Sequence, residues 1–343
     1  MGKQHITIHD LAKILNLNAS TVSRALNDHP KISAETKKMV QKLASEMNYQ
    51  PNALASSLRK GSAHTVGLVL PRVNRNFFAS AIEGIEAILN KAGYHLIITQ
   101  SNENAEKEKE CISSLISSRV DGIIISISWE TKDLSHLIAA QNKKIPLIFF
   151  DRIPRDFEAS KVMLNDYQGA YQATEYLINN GNRKIAFLAG PQHLQIYSER
   201  FRGYKTALED YKFPVDPAYI IENCLTQEKG VEGAAQLLSL EKRPDAIFGS
   251  SDYSALGALV YCKENGLRIP EDISIFGFAN EPFTKLIDPP LSSIEQFPYK
   301  MGEAAAQLFL NAVKDKSAKH QTIEMIPEIR VRQSVLNRKI SNF

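Results

Sequence analysis

The spacing of apolar positions in residues 6–48 predicts three short helices. Thr7 and Ser33 precede the first and the third, and both residue types cap helix N-termini with a side-chain oxygen. Asn16 stands in the short turn after the first helix, where asparagine is one of the few non-glycine residues that adopt positive φ. Two short helices joined by a tight turn indicate a helix-turn-helix. Their apolar positions fall three and four residues apart: Leu11, Ile14 and Leu15, then Val22, Ala25 and Leu26.

The second of these helices presents small polar groups and one arginine away from its apolar face. The hydroxyls of Ser20 and Thr21 can contact phosphates or base edges, and Arg24 can pair with O6 and N7 of guanine. Spacing alone leaves one alternative open, a generic helical bundle with a solvated face.

From residue 65 onward, short apolar runs alternate with amphipathic stretches, and near residue 165 the pattern begins again. Continuous apolar strands that alternate with helices indicate parallel sheets covered on both faces. We therefore expect a small all-α head followed by an α/β core of two parallel-sheet lobes. Ligands of such sheets bind beyond the carboxyl ends of the strands, here in a cleft between the lobes. The predicted strands are 66–70, 96–99, 122–126, 146–151, 184–190, 219–221, 246–249 and 273–277.

The formal net charge of +3 is unevenly distributed along the chain. Residues 1–62 carry nine Lys and Arg against four Asp and Glu, a net charge of +5, which leaves −2 for the remainder. A basic head on a slightly acidic body is expected when only the head meets phosphate groups.

Several classes of protein are excluded by what the sequence lacks. No run approaches the roughly 20 apolar residues that span a bilayer, and the first residues lack the apolar region of a secretory signal. We therefore expect a cytoplasmic protein with no membrane partner. The three cysteines, Cys111, Cys224 and Cys262, form no CxxC pair and are interpreted as buried free thiols.

No catalytic or cofactor-binding motif is visible in the chain. GxGxxG after the first strand, GxxxxGK[ST], GxSxG and HExxH are all missing. Without a partnered base or metal ligands, acids near strand ends are better explained by hydrogen bonds to a polyol than by catalysis. We expect no enzyme activity, no cofactor and no metal. The acids concerned are Asp151, Asp166, Asp252 and Glu281.

The head carries a string of motifs in one register: Thr7 with Asp10-Leu11-Ala12-Lys13, then residues 21–27, 32–36 and 49–52. This string resembles the head of the LacI/GalR family of transcription regulators. The resemblance implies that Ala19, Ser20 and Arg24 read bases in the major groove of an operator. The residues predicted to contact DNA are Thr7, Ala19, Ser20, Thr21, Ser23, Arg24, Asn27, Tyr49, Asn52, Ala55 and Leu58.

Residues 51–62 are predicted to link the head, residues 1–50, to the core, residues 63–343. The segment has Pro51 at its first turn and Gly61 at its end, but a helix this short is unstable alone in water. The family resemblance implies a hinge helix in the minor groove, with Leu58 as a wedge between base pairs. Ser56 stands where many relatives have arginine, so one contact is missing unless Arg59 and Lys60 replace it.

The core resembles the same family, whose core has the periplasmic-binding-protein-like fold. The motif from Gly190-Pro191 to Glu199-Arg200 places Arg200 at the family's effector-binding arginine, and Asn76-Phe77-Phe78 supplies an aromatic edge, although Phe78 can also be a core aromatic. We expect lobe 1 to comprise residues 63–164 and 295–325, and lobe 2 residues 165–294 and 326–343. The predicted ligand-binding residues are Phe77, Phe78, Asp151, Arg200, Leu225, Asp252, Asn280 and Gln296.

Two departures from the family pattern bear on the chemical class of the ligand. Ala279 occupies the position at which sugar-binding relatives often carry aspartate, and Asn280 or Glu281 is the candidate replacement. Leu194 occupies the position of an additional arginine in purine-binding relatives, which disfavours a purine. We expect a sugar or sugar derivative. A phosphorylated sugar and a partner protein remain the alternatives.

The sequence thus predicts a homodimeric regulator, most simply a repressor, that binds a near-palindromic double-stranded operator. The tail after residue 332 has no leucine heptads, which favours a dimer over a tetramer. Whether the ligand releases or recruits DNA stays open. A transporter's solute-binding protein would need a signal or lipid anchor and no basic head, and a sugar-processing enzyme would need a catalytic constellation.

Overall fold

A computed structural model describes residues 6–49, 63–315 and 317–336. The predicted hinge, residues 51–62 with Asn52, Ala55 and Leu58, lies outside the described residues. The chain divides into two compact units, Met1–Ala63 and His64–Phe343, here called the head and the core.

The head consists of three helices around a small apolar centre: α1 (Ile8–Ile14), α2 (Ala19–Leu26) and α3 (Ala34–Glu46). Ser33 caps α3 by accepting from the amide of Thr36 at 3.2 Å. Asn16 has the positive φ expected for the turn, +52°. Leu11, Val22 and Val40 are completely buried and hold the three helices together. The helix-turn-helix prediction is confirmed.

Lobe 1 of the core is built on a six-stranded sheet in which every neighbouring pair is parallel. The strand order is β11-β5-β4-β3-β1-β2, so a strand from near the end of the chain closes one edge. The strands are β1 (Thr65–Leu70), β2 (His95–Gln100), β3 (Gly122–Ile125), β4 (Leu147–Phe150), β5 (Ser160–Leu164) and β11 (Thr322–Met325). Its helices are α4 (Asn76–Lys91), α5 (Ala105–Ser117), α6 (Ser135–Asn142) and α11 (Pro298–Lys314).

Lobe 2 is built on a four-stranded parallel sheet of order β7-β6-β8-β9. Its strands are β6 (Ile185–Leu188), β7 (Ile220–Ile221), β8 (Ala246–Gly249) and β9 (Ser274–Phe276), and its helices are α7 (Asp166–Asn179), α8 (Gln195–Asp210), α9 (Gln227–Leu238) and α10 (Asp252–Glu264). A separate antiparallel pair joins β10 (Ser293–Glu295) to β12 (Glu328–Arg330).

The inner strands of both sheets are buried because helices cover both faces, whereas the edge strands β2, β7 and β11 are partly exposed. In lobe 1, α4 packs against α11, and in lobe 2, α7 packs against α8 and α9 against α10. Phe149, Phe187 and Phe248 are among the largest fully buried side chains. The predicted α/β core of two parallel-sheet lobes is confirmed. None of the helices in the described part of the chain is long and apolar enough to cross a membrane.

Candidate functional site

Helix α2 has one buried and one exposed face, as a recognition helix needs. Val22 and Ala25 are completely buried in the head. Ser20, Arg24 and Asn27 are exposed, and their spacing of four and three residues places them on one face. Ala19, Thr21 and Ser23 flank this row and are half-buried. The exposed polar side chains can enter a major groove without disturbing the helix packing, because Val22 and Ala25 hold the opposite face of the helix in the head.

Thr7 has a structural role beside its predicted contact with DNA. Its Oγ1 accepts from the amide of Asp10 at 3.3 Å, and its own amide donates to Oδ2 of Asp10 at 2.8 Å. This reciprocal capping box satisfies two amides at the start of α1, and the hydrogen bonds from Thr7 lower the pKa of Asp10. Tyr49 is half-buried and packs against the same apolar centre.

A cavity of about 130 Å³ lies in the core between the two lobes, beyond the carboxyl ends of the strands. Six of the eight residues predicted to bind ligand line it: Phe77, Phe78, Asp151, Arg200, Leu225 and Gln296. The volume is of the order of the engineered cavities that hold one small aromatic molecule. It therefore suits a small ligand.

Arg200 is fixed before any ligand arrives. It lies on α8 and is 4% exposed. Its Nε donates to Oδ1 of Asp166 at 2.7 Å, and its Nη1 donates to the carbonyl of Ser250 at 2.7 Å. Its guanidinium carbon lies 3.7 Å from the ring centroid of Phe278 and 5.3 Å from that of Tyr197. Burial raises the pKa of Asp166 to about 6, although Arg200 acts in the opposite direction. Two of five donors are thereby used, and the rest can serve a ligand.

Asp252, a predicted ligand-binding residue, is not among the cavity-lining residues. It is completely buried at the start of α10. Its carboxylate accepts from Ser293 Oγ at 2.6 Å and from the amide of Glu281 at 2.8 Å. A methyl group at Gly277 would lie 2.1 Å from Oδ1 of Asp252, so only glycine fits there. Asp252 thus organises the loop after β9, and burial raises its pKa to about 6.

Asn280, also predicted to bind ligand, lies in that loop beside the cavity. Its Nδ2 donates to Glu295 Oε2 at 2.6 Å, and its Oδ1 accepts from Arg332 Nη2 at 2.5 Å. It faces an adjoining depression that Phe77 also lines. Ala279 and Glu281 do line the main cavity, and Ala279 has a strained φ of +132°. Burial raises the pKa of Glu281 to about 7.

Asp151 follows β4 with a φ of +60° and points its carboxylate at Ser126, whose Oγ donates at 3.2 Å. Burial raises the pKa of Asp151, while the charges of Arg152 and Arg200 act in the opposite direction. Next to it, Nη1 of Arg152 donates to Glu103 Oε2 at 2.6 Å. The cavity wall is therefore a polar network in which the two buried arginines, Arg152 and Arg200, are each paired with a carboxylate.

Three contacts join lobe 1 to lobe 2 around the cavity. His193 Nε2 donates to the carbonyl of Trp129 at 2.5 Å. Arg155 Nη2 donates to Ser198 Oγ at 2.6 Å. The guanidinium carbon of Arg75 lies 4.1 Å from the ring centroid of Tyr253. These contacts connect the two lobes directly.

More than half of the cavity wall was not anticipated from sequence. The missed residues lie in the segments that follow the carboxyl ends of β1, β2, β3, β4, β6, β7, β8 and β9. A search of every polar or aromatic residue within a few positions of a predicted strand end would have found most of them. They are Arg72, Arg75, Glu103, Trp129, Arg152, Ile196, Tyr197, Thr226, Ser251, Tyr253 and Phe278, whereas Glu281 and the Ala279 position were already candidates from the sequence.

No group of three or more His, Cys, Asp or Glu in residues 6–49, 63–315 and 317–336 is arranged to hold a metal ion. Cys224 and Cys262 are buried thiols, and burial raises the pKa of each to about 12. Cys111 is half-buried. These cysteines are therefore poor nucleophiles and ligands at neutral pH.

Comparison with known proteins finds a matching family for both the head and the core. Residues 7–52 match the model described as bacterial regulatory proteins, lacI family, and residues 174–335 match a periplasmic binding protein-like domain. The HTH-type transcriptional repressor PurR of Vibrio atlanticus (strain LGP32) is 35% identical over 329 residues, which covers 96% of this chain and 98% of that protein.

Solved structures resemble the whole chain. A complex of the transcriptional regulator CelR with cellobiose has a TM-score of 0.74 at 26% identity and covers 96% of this chain and 99% of its own. The lac repressor dimer bound to operator and the anti-inducer ONPF has a TM-score of 0.86 at 24% identity, covering 97% and 100%.

Proposed function

The chain belongs to the LacI family of bacterial regulatory proteins, and from this membership we propose that it is a transcriptional repressor controlled by a small carbohydrate. As a family member it is a DNA-binding transcriptional regulator and not an enzyme. The carbohydrate binds in the cavity between the lobes and changes the affinity of the protein for its operator. The relative from Vibrio atlanticus, a transcriptional repressor, supports repression over activation.

The observation that carries the proposal is the fixed position of Arg200. Asp166, the Ser250 carbonyl and two aromatic rings hold its guanidinium in the cavity wall. A preorganised donor group loses little entropy when it binds hydroxyl oxygens. Phe77, Phe78 and Trp129 supply flat apolar surface for the hydrophobic face of a sugar ring. The likeness to a regulator solved with cellobiose supports the same class.

A purine is the competing effector, since relatives named PurR are similar over the full length. Leu194 argues against it. This residue is 3% exposed and packs in an apolar cluster of lobe 1 and lobe 2 side chains, so it offers no hydrogen-bond donor. A purine would therefore lose the contact that an arginine at this position supplies in purine-binding relatives, and its polar atoms would depend on the other polar groups of the cavity wall.

On the DNA side we assign base contacts to Ala19, Ser20 and Arg24 of α2. Because Ala19 and Ser20 are small, Arg24 and apolar contacts with thymine methyl groups carry more of the sequence specificity than in relatives with longer side chains at these positions. The remaining proposed contacts with DNA are Thr7, Thr21, Ser23, Asn27 and Tyr49 in the head, and Asn52, Ala55 and Leu58 in the hinge.

A homodimer is proposed because a near-palindromic operator needs two heads. Strand β2 offers an interface: it is the edge of the lobe 1 sheet, and Ile97 and Ile98 are 38% and 42% exposed. An exposed apolar edge strand normally meets a partner. When the ligand closes the cleft, lobe 1 of one subunit shifts relative to lobe 1 of the other. The coupling free energy between the ligand site and the DNA site is then about 1–3 kcal/mol.

The experiment selects genomic DNA fragments with the full-length protein and then titrates the selected operator complex with candidate carbohydrates. Arg200→Ala should abolish the response and keep operator binding. Arg202→Ala is the matched control, because Arg202 lies on the same helix, is exposed and contacts Glu199 and the Tyr167 ring, neither of which lines the cavity. A normal response in Arg200→Ala would show that the effector binds at another site. Binding of DNA without sequence preference would contradict the proposal that the protein recognises a specific operator.

A further inference from the structure

The loop between β1 and α4, residues 71–75, brings two arginines to the cavity. Arg72 and Arg75 both line it. Among the described residues, no carboxylate oxygen lies within 4.0 Å of either guanidinium, whereas the other two arginines of the wall, Arg152 and Arg200, are paired at 2.6 and 2.7 Å. Neither guanidinium is therefore neutralised by an ion pair, and that of Arg75 lies against the ring of Tyr253.

Arg152 contributes an unused donor to the same cavity. Its Nη1 is paired with Glu103, but its Nε is buried and has no hydrogen-bond partner among the described residues. The residue is only 9% exposed. Buried donors without a partner are rare in folded proteins. An acceptor oxygen of a ligand would satisfy it.

The acids of the cavity do not cancel this positive charge. Glu103 is already engaged by Arg152 and by the amide of Trp129, which donates at 3.1 Å. Asp151 and Glu281 remain, and burial raises the pKa of both, that of Glu281 to about 7. Glu281 is therefore only partly ionised at neutral pH, while the arginines stay protonated.

Helix α4 begins immediately after this loop and adds to the positive field. It is 16 residues long, its N-cap Arg75 makes no capping hydrogen bond through its side chain, and its first turn contains no acid. The first amides of a helix carry a partial positive charge and bind anions. The helix N-terminus, the two arginines and the Arg152 donor all favour the same kind of ligand group.

We propose that the effector carries an acidic group, a phosphate or a carboxylate, and that Arg72 and Arg75 bind it at the start of α4. This inference rests on the proposed function and narrows its ligand from carbohydrates in general to sugar phosphates or sugar acids. The sugar body then meets Arg200, Asp151 and the aromatic side of the cavity.

The test measures binding of the full-length protein to matched compounds at constant ionic strength. Glucose is compared with glucose 6-phosphate and glucuronate, galactose with galactose 1-phosphate and galacturonate, and inorganic phosphate serves as the isolated group. Binding is followed by thermal unfolding, because a ligand that binds only the folded state raises its stability. The acidic member of at least one pair should bind about 10-fold or more tightly than its neutral parent. Comparison of the sugar phosphates with the uronates shows whether the site prefers a phosphate or a carboxylate.

The variant Arg72→Gln/Arg75→Gln should lose this preference and retain operator binding. Arg243→Gln, an exposed arginine of lobe 2, is the control and should keep it. A neutral sugar that binds as tightly as its acidic partner and changes operator affinity would overturn the inference and leave the proposed function intact. An acidic compound that is not a carbohydrate, yet depends on Arg72 and Arg75, would support the inference and reject the carbohydrate. Failure of every acidic compound to bind would overturn it.

Discussion

Arg155 of lobe 1 and Ser198 of lobe 2 are joined by a hydrogen bond of 2.6 Å from Nη2 to Oγ. Ser198 in turn donates to the carbonyl of Gln195 within α8 at 3.0 Å. The bond therefore connects the loop after β4 to the helix that carries Arg200. Any movement of the lobes away from each other must break it.

We expect Ser198→Ala to favour the open arrangement of the ligand-free core. Because Arg155 is exposed, the bond contributes only about 0.5–1 kcal/mol, so the apparent affinity for the effector should fall about 2- to 5-fold. The distance between spin labels on the two lobes measures the opening directly. Ser239→Ala, which removes a local helix hydrogen bond within lobe 2, is the control. An unchanged distance distribution in Ser198→Ala would show that this bond does not hold the lobes.

The core should become less stable as pH rises through the neutral range. The pKa values of Asp166 and Asp252 are raised to about 6, and that of Glu281 to about 7, above their ordinary values of 3.8 and 4.5. The folded core therefore binds more protons than the unfolded chain between about pH 4 and 7, and its stability falls as pH increases. Thermal unfolding at about pH 5.5 and 7.5 should give the higher Tm at the lower pH.

Asp252→Asn should reduce this dependence, since the substituted side chain does not ionise. Asp272→Asn is the matched control: Asp272 is exposed, its pKa is lowered to about 2, and its protonation changes only at much lower pH. A Tm that rises from the lower to the higher pH in the wild-type core would contradict the assignment.

Arg24→Ala should weaken binding to the selected operator by about 10- to 100-fold and relax the preference at one base pair. Arg24 is exposed on α2 beside the buried Val22, so its removal leaves the head folded. Lys42→Ala, on α3, tests a basic side chain outside this row. Quantitative binding to a library of single base-pair substitutions measures both effects. Equal specificity of Arg24→Ala and wild type would remove Arg24 from the base-reading set.

Thr7→Ala should destabilise the head by about 1 kcal/mol, because the capping box with Asp10 is lost. Thr7→Ser retains the hydroxyl and should preserve stability. Chemical denaturation of both variants, followed by operator binding at a temperature where both heads are folded, separates the cap from a direct DNA contact. A DNA defect in Thr7→Ser as well would indicate a role for the methyl group, whereas full stability of Thr7→Ala would contradict the capping argument.

The predicted strands were recovered wherever apolar residues run continuously, because buried parallel strands are covered on both faces. Strand β5 was missed since its buried and half-buried positions alternate, and β11 was missed since it is a partly exposed edge strand. Helix α11, although strongly amphipathic, follows no predicted strand, and its place against α4 depends on tertiary packing. The hydrophobic pattern of the sequence therefore identified the central strands more reliably than β5, β11 and α11.

The candidate ligand residues separate along a similar line. Phe77, Asp151 and Arg200 line the cavity because they lie on the segments that follow β1, β4 and β6, which meet there. Asp252 also follows a strand, but Ser293 and the Glu281 amide turn its carboxylate into the protein. Sequence cannot reveal that orientation, because both partners come from segments distant along the chain. Arg72 and Arg75 required knowledge of which loops border the cleft.

The return of the chain to lobe 1 has a consequence for protein synthesis. Strand β11, Thr322–Met325, closes the edge of the lobe 1 sheet beside β5, so that lobe stays incomplete until almost the whole chain has left the ribosome. The head has its own apolar centre and ends its last helix at Glu46. At ordinary translation rates the head is finished on the order of tens of seconds before lobe 1. A nascent or prematurely terminated chain can therefore carry a finished head together with an incomplete lobe 1.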